Sequence, residues 1–180
     1  MSERALIPSV SADDHVIGPD DAPVTLVEYG DFECSYCGMA YPLIHGIRRK
    51  LGTQLRFVFR NFPLRESHPH AQHAAEAAEA AAAQGHFWEM HDMMYEHQDA
   101  LEDADLLRYA KMIGIDELRV ARELETGTYT RRVRDHFRSG VQSGVNGTPT
   151  FFINGQRFDG SFMNEAELTR ALRAPKSPSF

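Results

Sequence analysis

About seventy residues with helical character throughout, from position 70 to 143, separate two shorter segments with strand character. No other feature constrains the fold more. Residues 24–29, Val-Thr-Leu-Val-Glu-Tyr, are short, β-branched and bounded by Gly30, the signature of a buried strand. A helical pattern follows over 35–50, with Pro42 inside it predicting a kink and Gly52 closing it. Residues 55–60 read as a second strand. Beyond the helices, residues 150–153 restore strand character. Asn154-Gly155 signals a hairpin, 156–158 supply the return strand, and 164–173 read as a closing helix. The order is β-α-β, helical insert, β-β-α, so residues 23–64 and 144–173 together make one α/β domain and 65–143 an inserted helical subdomain. The polar residues 1–22 read as a loosely packed arm, and 174–180 as a frayed tail.

Within the insert, 70–83 is nearly all Ala, Glu, Gln and His, a strong helix former whose small side chains allow close approach. Further helices are expected over 86–98, 103–113, 116–125 and 128–143. Phe87, Trp88, Met90, Met93 and Met94 read as core of the insert. The six histidines 68, 70, 73, 86, 91 and 97 invite a metal site, but no carboxylate or cysteine completes a ligand set, so no metal is expected. Arg131, Arg132, Arg134 and Arg138 read as a solvated helix face.

The chain has only two cysteines, Cys34 and Cys37, in Cys-Ser-Tyr-Cys between the first strand and its helix. A disulfide across two residues closes too small a loop to constrain the unfolded chain, so a structural staple is a poor explanation. A zinc site would need a second ligand pair. The remaining chemistry is redox. Cys34 sits just before the helix, where free N–H groups and the helix dipole favour thiolate, and is the expected nucleophile and leaving group. Cys37, one turn in, is expected to be less exposed and to resolve a mixed disulfide. Ser35 and Tyr36 tune the pair. Neither carries positive charge, so the site is expected to be less oxidising than one with a histidine between its cysteines. Glu28 is an acid inside an apolar run. It is either a proton acceptor for Cys37 or an edge-strand residue facing solvent. Thr148-Pro149 at the entrance of a strand reads, by itself, as a turn.

Together these residues resemble the DsbA-like branch of the thioredoxin superfamily over about 15–173. The likeness rests on the segment 24–37 and on Gly144-Val145-Asn146-Gly147-Thr148-Pro149-Thr150-Phe151-Phe152. It extends through His68-Pro69 and the Ala-rich helix to Gln84-Gly85-His86-Phe87-Trp88, which plain thioredoxins lack. The resemblance implies an α/β thioredoxin fold with an inserted all-helical subdomain. It also implies a nucleophile at Cys34, a resolving Cys37, an acid at Glu28, and a cis-proline at Pro149 that leaves the backbone of Thr148 free for a substrate peptide. The implied function is thiol-disulfide oxidoreductase on protein or small-thiol disulfides, recycled by a redox partner. The alternative is a peptide- or metal-binding module whose cysteines do not turn over. The Ser-Tyr dipeptide and the lack of a visible signal leave the direction of electron flow open.

No cofactor is expected. The net charge of −7 argues against nucleic-acid or anionic-membrane binding, and no run approaches the length of a membrane span. The opening residues lack an apolar signal core, which predicts the cytoplasm, or the periplasm or exterior if a leader has been removed. No separate dimerisation domain is visible, so a monomer is expected.

Overall fold

In the computed structural model, which describes residues 5–174, five strands form one sheet: β1 (His15–Ile17), β2 (Val24–Gly30), β3 (Leu55–Asn61), β4 (Thr150–Ile153) and β5 (Gln156–Arg157). Their order is β1-β3-β2-β4-β5, with β2 and β3 parallel and the other pairs antiparallel. Helix α1 (Ser35–Leu51) is the crossover between the parallel strands and continues through Pro42. The β4–β5 turn uses Asn154 (φ 49°) and Gly155 (φ 84°), the positive dihedrals that an Asn-Gly hairpin supplies with little strain.

The central strand β2 is covered on both faces. Leu26, Glu28 and Gly30 share one face with their neighbours Phe57, Phe59 and Phe151. Val27 and Tyr29 share the other with Val58 and Phe152. The insert comprises α2 (Ala71–Ala82), α3 (Phe87–Glu96), α4 (Asp103–Met112), α5 (Glu117–Glu125) and α6 (Thr130–Gln142), and α7 (Glu165–Arg173) closes the chain. Phe87, Met90, Met94 and Tyr95 of α3 join the core formed by α1 and the first face of the sheet. On the opposite face Phe137 of α6 stacks on Phe62 at 4.2 Å. The inserted helices thus complete the core of the sheet rather than enclose a separate one.

The N-terminal segment differs from the loose arm that its polarity predicts. Residues 15–17 pair with β3 as an edge strand, and Leu6 is buried. The anchor is Arg60, 2% exposed, whose guanidinium donates to both carboxylate oxygens of Asp14 at 2.7 and 2.9 Å, to Pro8 O at 3.0 Å and to Tyr29 Oη at 3.0 Å. That partner lies 46 residues away in sequence, beyond any local pattern. The tail residues 175–180 lie outside the described residues.

A second buried carboxylate ties the insert to the sheet. Glu79 of α2, 2% exposed, accepts from Arg132 Nε at 2.6 Å and Asn61 Nδ2 at 2.7 Å, and pairs with His15 Nε2 at 2.9 Å. Burial opposes its ionisation, but the bond to His15 and the charges of His15, His136 and Arg132 outweigh burial and hold its pKa low. Arg132 is therefore a structural cation, unlike the solvated face expected for the arginines of α6. Glu79→Ala leaves three polar partners without their acceptor, and urea denaturation is expected to show a loss of about 3 kcal/mol. A loss below about 1 kcal/mol would mean that water replaces the carboxylate freely.

Candidate active site

The end of β2 delivers the chain into a tight loop organised by Asp31, which is fully buried. Its carboxylate accepts from the backbone N–H of Glu33 at 2.8 Å and of Leu64 at 2.8 Å, and pairs with His68 Nδ1 at 2.7 Å. Cys34 then occupies the position that starts α1, with extended dihedrals (φ −72°, ψ 120°). Gln98 clamps this loop from the turn that follows α3, donating through Nε2 to Phe32 O at 2.7 Å and Cys34 O at 2.9 Å.

Cys34 and Cys37 are both free thiols and approach to 3.8 Å. Cys34 is 5% exposed and Cys37 fully buried. The Cys34 pKa falls to about 5. The largest cause is a hydrogen bond from Cys37; burial opposes, and Thr148 and the backbone N–H groups of Cys37 and Tyr36 add to the lowering. At pH 7 such a thiol is roughly 99% thiolate. The helix terminus, the expected source of stabilisation, is thus secondary to the partner sulfur. Cys37 shifts the other way, well above its ordinary value, through burial, its bond to Cys34 and the charge of Glu28. Ser35 and Tyr36 are exposed beside the pair.

The start of β4 faces the cysteines. Thr148–Pro149 is a cis peptide bond. The carbonyl of Thr148 lies 3.4 Å from Cys34 Sγ and accepts from it in the thiol form, whereas the Thr148 side chain helps to hold the thiolate. Glu28, from the middle of β2, is 3% exposed, and its central strand leaves no place for the solvent-facing edge alternative. Burial, with a contribution from the charge of Cys34, pushes its pKa up to about 8. The structure therefore brings together Glu28, Cys34, Cys37, Ser35, Tyr36, Thr148 and Pro149 from three separate stretches of chain.

Three neighbours were not legible as site residues. His68 reads in sequence only as one of six clustered histidines, yet it is bound to Asp31 next to the cysteines. Burial lowers its pKa, but the Asp31 bond and the charges of Asp31, Cys34 and Glu33 prevail and raise it. A histidine is thus present near the thiolate, supplied from the insert instead of from the dipeptide between the cysteines. Asp31, three residues before Cys34, offered a signal through its position alone. Gln98 offered none. Each of the other histidines named for a metal set has its own partner or neighbour: His70 lies beside Glu33, His73 pairs with Asp103, His86 with Glu89, His91 with Asp92, and His97 with the carbonyl of Met93. Among the described residues no group of three or more such side chains is placed to hold a metal ion.

The Thioredoxin family model matches residues 10–174. Among solved structures, BdbD of Bacillus subtilis superposes with a TM-score of 0.80 at 24% identity, covering 88% of this chain and 90% of that one. A thioredoxin-like oxidoreductase from Silicibacter pomeroyi gives 0.73 at 25% identity, covering 91% and 95%. Among curated proteins, the Na(+)/H(+) antiporter NhaA 3 of Salinispora tropica is 48% identical over 161 residues, which is 89% of this chain and 24% of the antiporter. NhaA 1 of Salinispora arenicola is 48% identical over 153 residues, 85% and 23% respectively. The chain spans about a quarter of the length of these relatives. With five helices inserted before β4 and its cysteine pair at the start of α1, the chain belongs to the Thioredoxin family.

Proposed function

We propose that this protein is a thiol-disulfide oxidoreductase that passes a disulfide between its Cys34–Cys37 pair and a protein or small-thiol substrate, and that it acts as a mild oxidant. The observation that carries the reading is the unequal pair: a Cys34 thiol held low at about 5 beside a buried Cys37 held high. Only such asymmetry gives one sulfur that attacks and leaves readily and a second that waits to resolve.

In the oxidising direction a substrate thiolate attacks Cys34 Sγ of the enzyme disulfide, the Cys34–Cys37 bond breaks, and Cys37 leaves with the electron pair and takes a proton from Glu28. A second substrate thiol then displaces Cys34, giving substrate disulfide and enzyme dithiol. Two electrons pass to the enzyme, and a separate redox partner removes them. In the reverse sense Glu28 accepts the Cys37 proton. The half-buried Thr148 and Pro149, beside the sulfurs, suit a substrate segment pairing along the Thr148 backbone. Tyr36, inside the Cys-Ser-Tyr-Cys motif, and Met39, two residues beyond it, are exposed large side chains that a substrate could cover.

The direction follows from which form is stabilised. A depressed Cys34 pKa favours the dithiol form and makes the disulfide a better oxidant. Thioredoxin pairs a pKa of about 7 with about −270 mV, and DsbA about 3.5 with about −120 mV; the depressed Cys34 pKa places this pair between them. Equilibration against glutathione redox buffers, read by thiol alkylation and mass, measures this directly. A potential at or below about −250 mV would make the protein a reductant and overturn the assigned direction. With a potential above that of a cytoplasmic glutathione pool, such a pool would hold the pair as dithiol, so net disulfide donation needs a more oxidising compartment or a dedicated oxidant.

A further inference from the structure

Between α1 and α3 a narrow crevice runs from the sheet to the surface, and its inner end is Glu28. Its walls carry His91 and Tyr95 from α3 and Tyr41, His45 and Arg48 from α1, with Phe57 of β3 as apolar floor. The room inside it is about 10 Å³, at the lower limit for admitting the centre of a single water molecule. Two atoms in its wall are buried without partners: the Tyr95 hydroxyl and His91 Nε2. A Cβ on Gly30 would lie 2.9 Å from the Tyr95 hydroxyl, which places that oxygen over the same face of β2 as Glu28, two residues away. His91 Nδ1 lies 2.8 Å from Asp92 Oδ1. The carboxylate accepts there, so Nδ1 carries the proton and Nε2 is left as an acceptor. His91 packs edge-on to Tyr95 at 4.9 Å and lies 6.0 Å from Tyr41, whose ring is 6.2 Å from that of the exposed His45.

We propose that this crevice binds one water between Glu28, the Tyr95 hydroxyl and His91 Nε2, and that this water is the proton exit of the redox pair, opening to solvent at His45. The proposal rests on Glu28 being the proton acceptor for Cys37. Three polar groups satisfy one water: the hydroxyl donates to it, and it donates to the carboxylate and to Nε2. It removes two orphaned polar atoms, each of which costs about 1–3 kcal/mol when left unpaired. It also answers a need of the chemistry. A carboxyl buried behind both cysteines must lose each proton it takes before the next turnover, and the cysteine side is closed by Cys37 itself. Burial and Cys34 raise the Glu28 pKa to about 8, so the acid is mostly protonated at neutral pH and its base form has to be regenerated through such a route. The charged groups around the crevice are Arg48 on α1 and Asp92 and Glu96 on α3; Tyr41 donates to Glu96 at 3.2 Å. Burial keeps His91 mainly neutral, against the pull of Asp92.

The step that tests this is resolution. Reduced protein attacks glutathione disulfide to give a Cys34–glutathione mixed disulfide and one glutathione thiolate. Cys37 then gives its proton to Glu28 and attacks Cys34 Sγ. The Cys34–Cys37 bond forms, the bond to glutathione breaks, and the second glutathione leaves with the electron pair. Acid-quenched samples followed by mass yield the rate of this second step. Tyr95→Phe keeps the ring and deletes only an unpartnered oxygen, so it leaves the fold intact. It is expected to slow resolution about tenfold, part of the ~10²–10⁴ that proton transfer commands, and to change its pH profile and solvent deuterium effect, with the reduction potential unmoved. His91→Phe fills the crevice and is expected to do the same. If Glu28→Gln slows resolution while Tyr95→Phe and His91→Phe do not, the water route is wrong and the acceptor role stands. If Glu28→Gln resolves at the parent rate, the acceptor role and the route fall together.

Discussion

Cys34→Ser is expected to abolish disulfide exchange, lowering the rate with a thiol or disulfide substrate by at least about 10³-fold. A serine hydroxyl at neutral pH has almost no alkoxide and cannot form the mixed disulfide. The substitution is nearly isosteric at a site 5% exposed, so folding is expected to survive. Cys37→Ser fails differently: Cys34 still attacks, and the mixed disulfide with substrate accumulates because nothing resolves it. The two variants together separate enzyme from binding module. A module that merely holds peptides would retain its effect in both, and an undiminished rate in Cys34→Ser would overturn the oxidoreductase reading.

The second large effect concerns stability and pH. In the folded protein Glu28 titrates near 8, against 4.5 for the free group. Between those values the folded state binds the proton and the unfolded chain does not, so unfolding releases it and the Glu28 contribution to stability falls as pH rises. It is fully present below about 4.5 and lost by the time pH passes about 8. Cys34 acts oppositely: its depressed pKa adds stability as pH rises from about 5 towards its ordinary value near 9. The parent in its reduced form therefore shows two slopes that partly cancel. Glu28→Gln removes one of them. Relative to the parent, the variant is expected to gain stability with each pH unit from about 4.5 to 8, reaching on the order of 3–5 kcal/mol at the upper end. Urea melts of reduced protein at pH 5, 6.5 and 8 check this, and a constant difference between variant and parent would show that Glu28 is ionised throughout. This gain would accompany the slower resolution expected of the same variant, a trade of stability for a positioned base.

How much of this was legible in the chain depends on the distance over which each feature is set. Periodicity places the helices to within a residue or two: 103–113 was expected and Asp103–Met112 is found, 116–125 expected and Glu117–Glu125 found. Asn154-Gly155 specified its hairpin through backbone dihedrals alone. Polarity misled at the N-terminus, where a short strand and the buried Asp14–Arg60 pair replace the expected loose arm. There the deciding energy is a bidentate contact with a residue far along the chain, which no local composition encodes.

The site divides in the same way. The sequence by itself placed two cysteines one turn apart at a strand-to-helix junction, the first just before the helix and the second inside it; what makes them unequal is the bond between the sulfurs and the burial of Cys37. It also placed an acid in an apolar strand, although whether that strand was central or at the edge stayed open. Only the tertiary structure decided that β2 is the middle strand, and that Glu28 is therefore buried and its pKa raised. It alone brought Thr148 against Cys34, His68 to Asp31 and Gln98 to the loop, across 114, 37 and 64–66 residues. Local sequence fixes dihedrals and the order of reactive groups; their pKa values depend on dielectric and on neighbours, which exist only once the sheet and the inserted helices have closed around them.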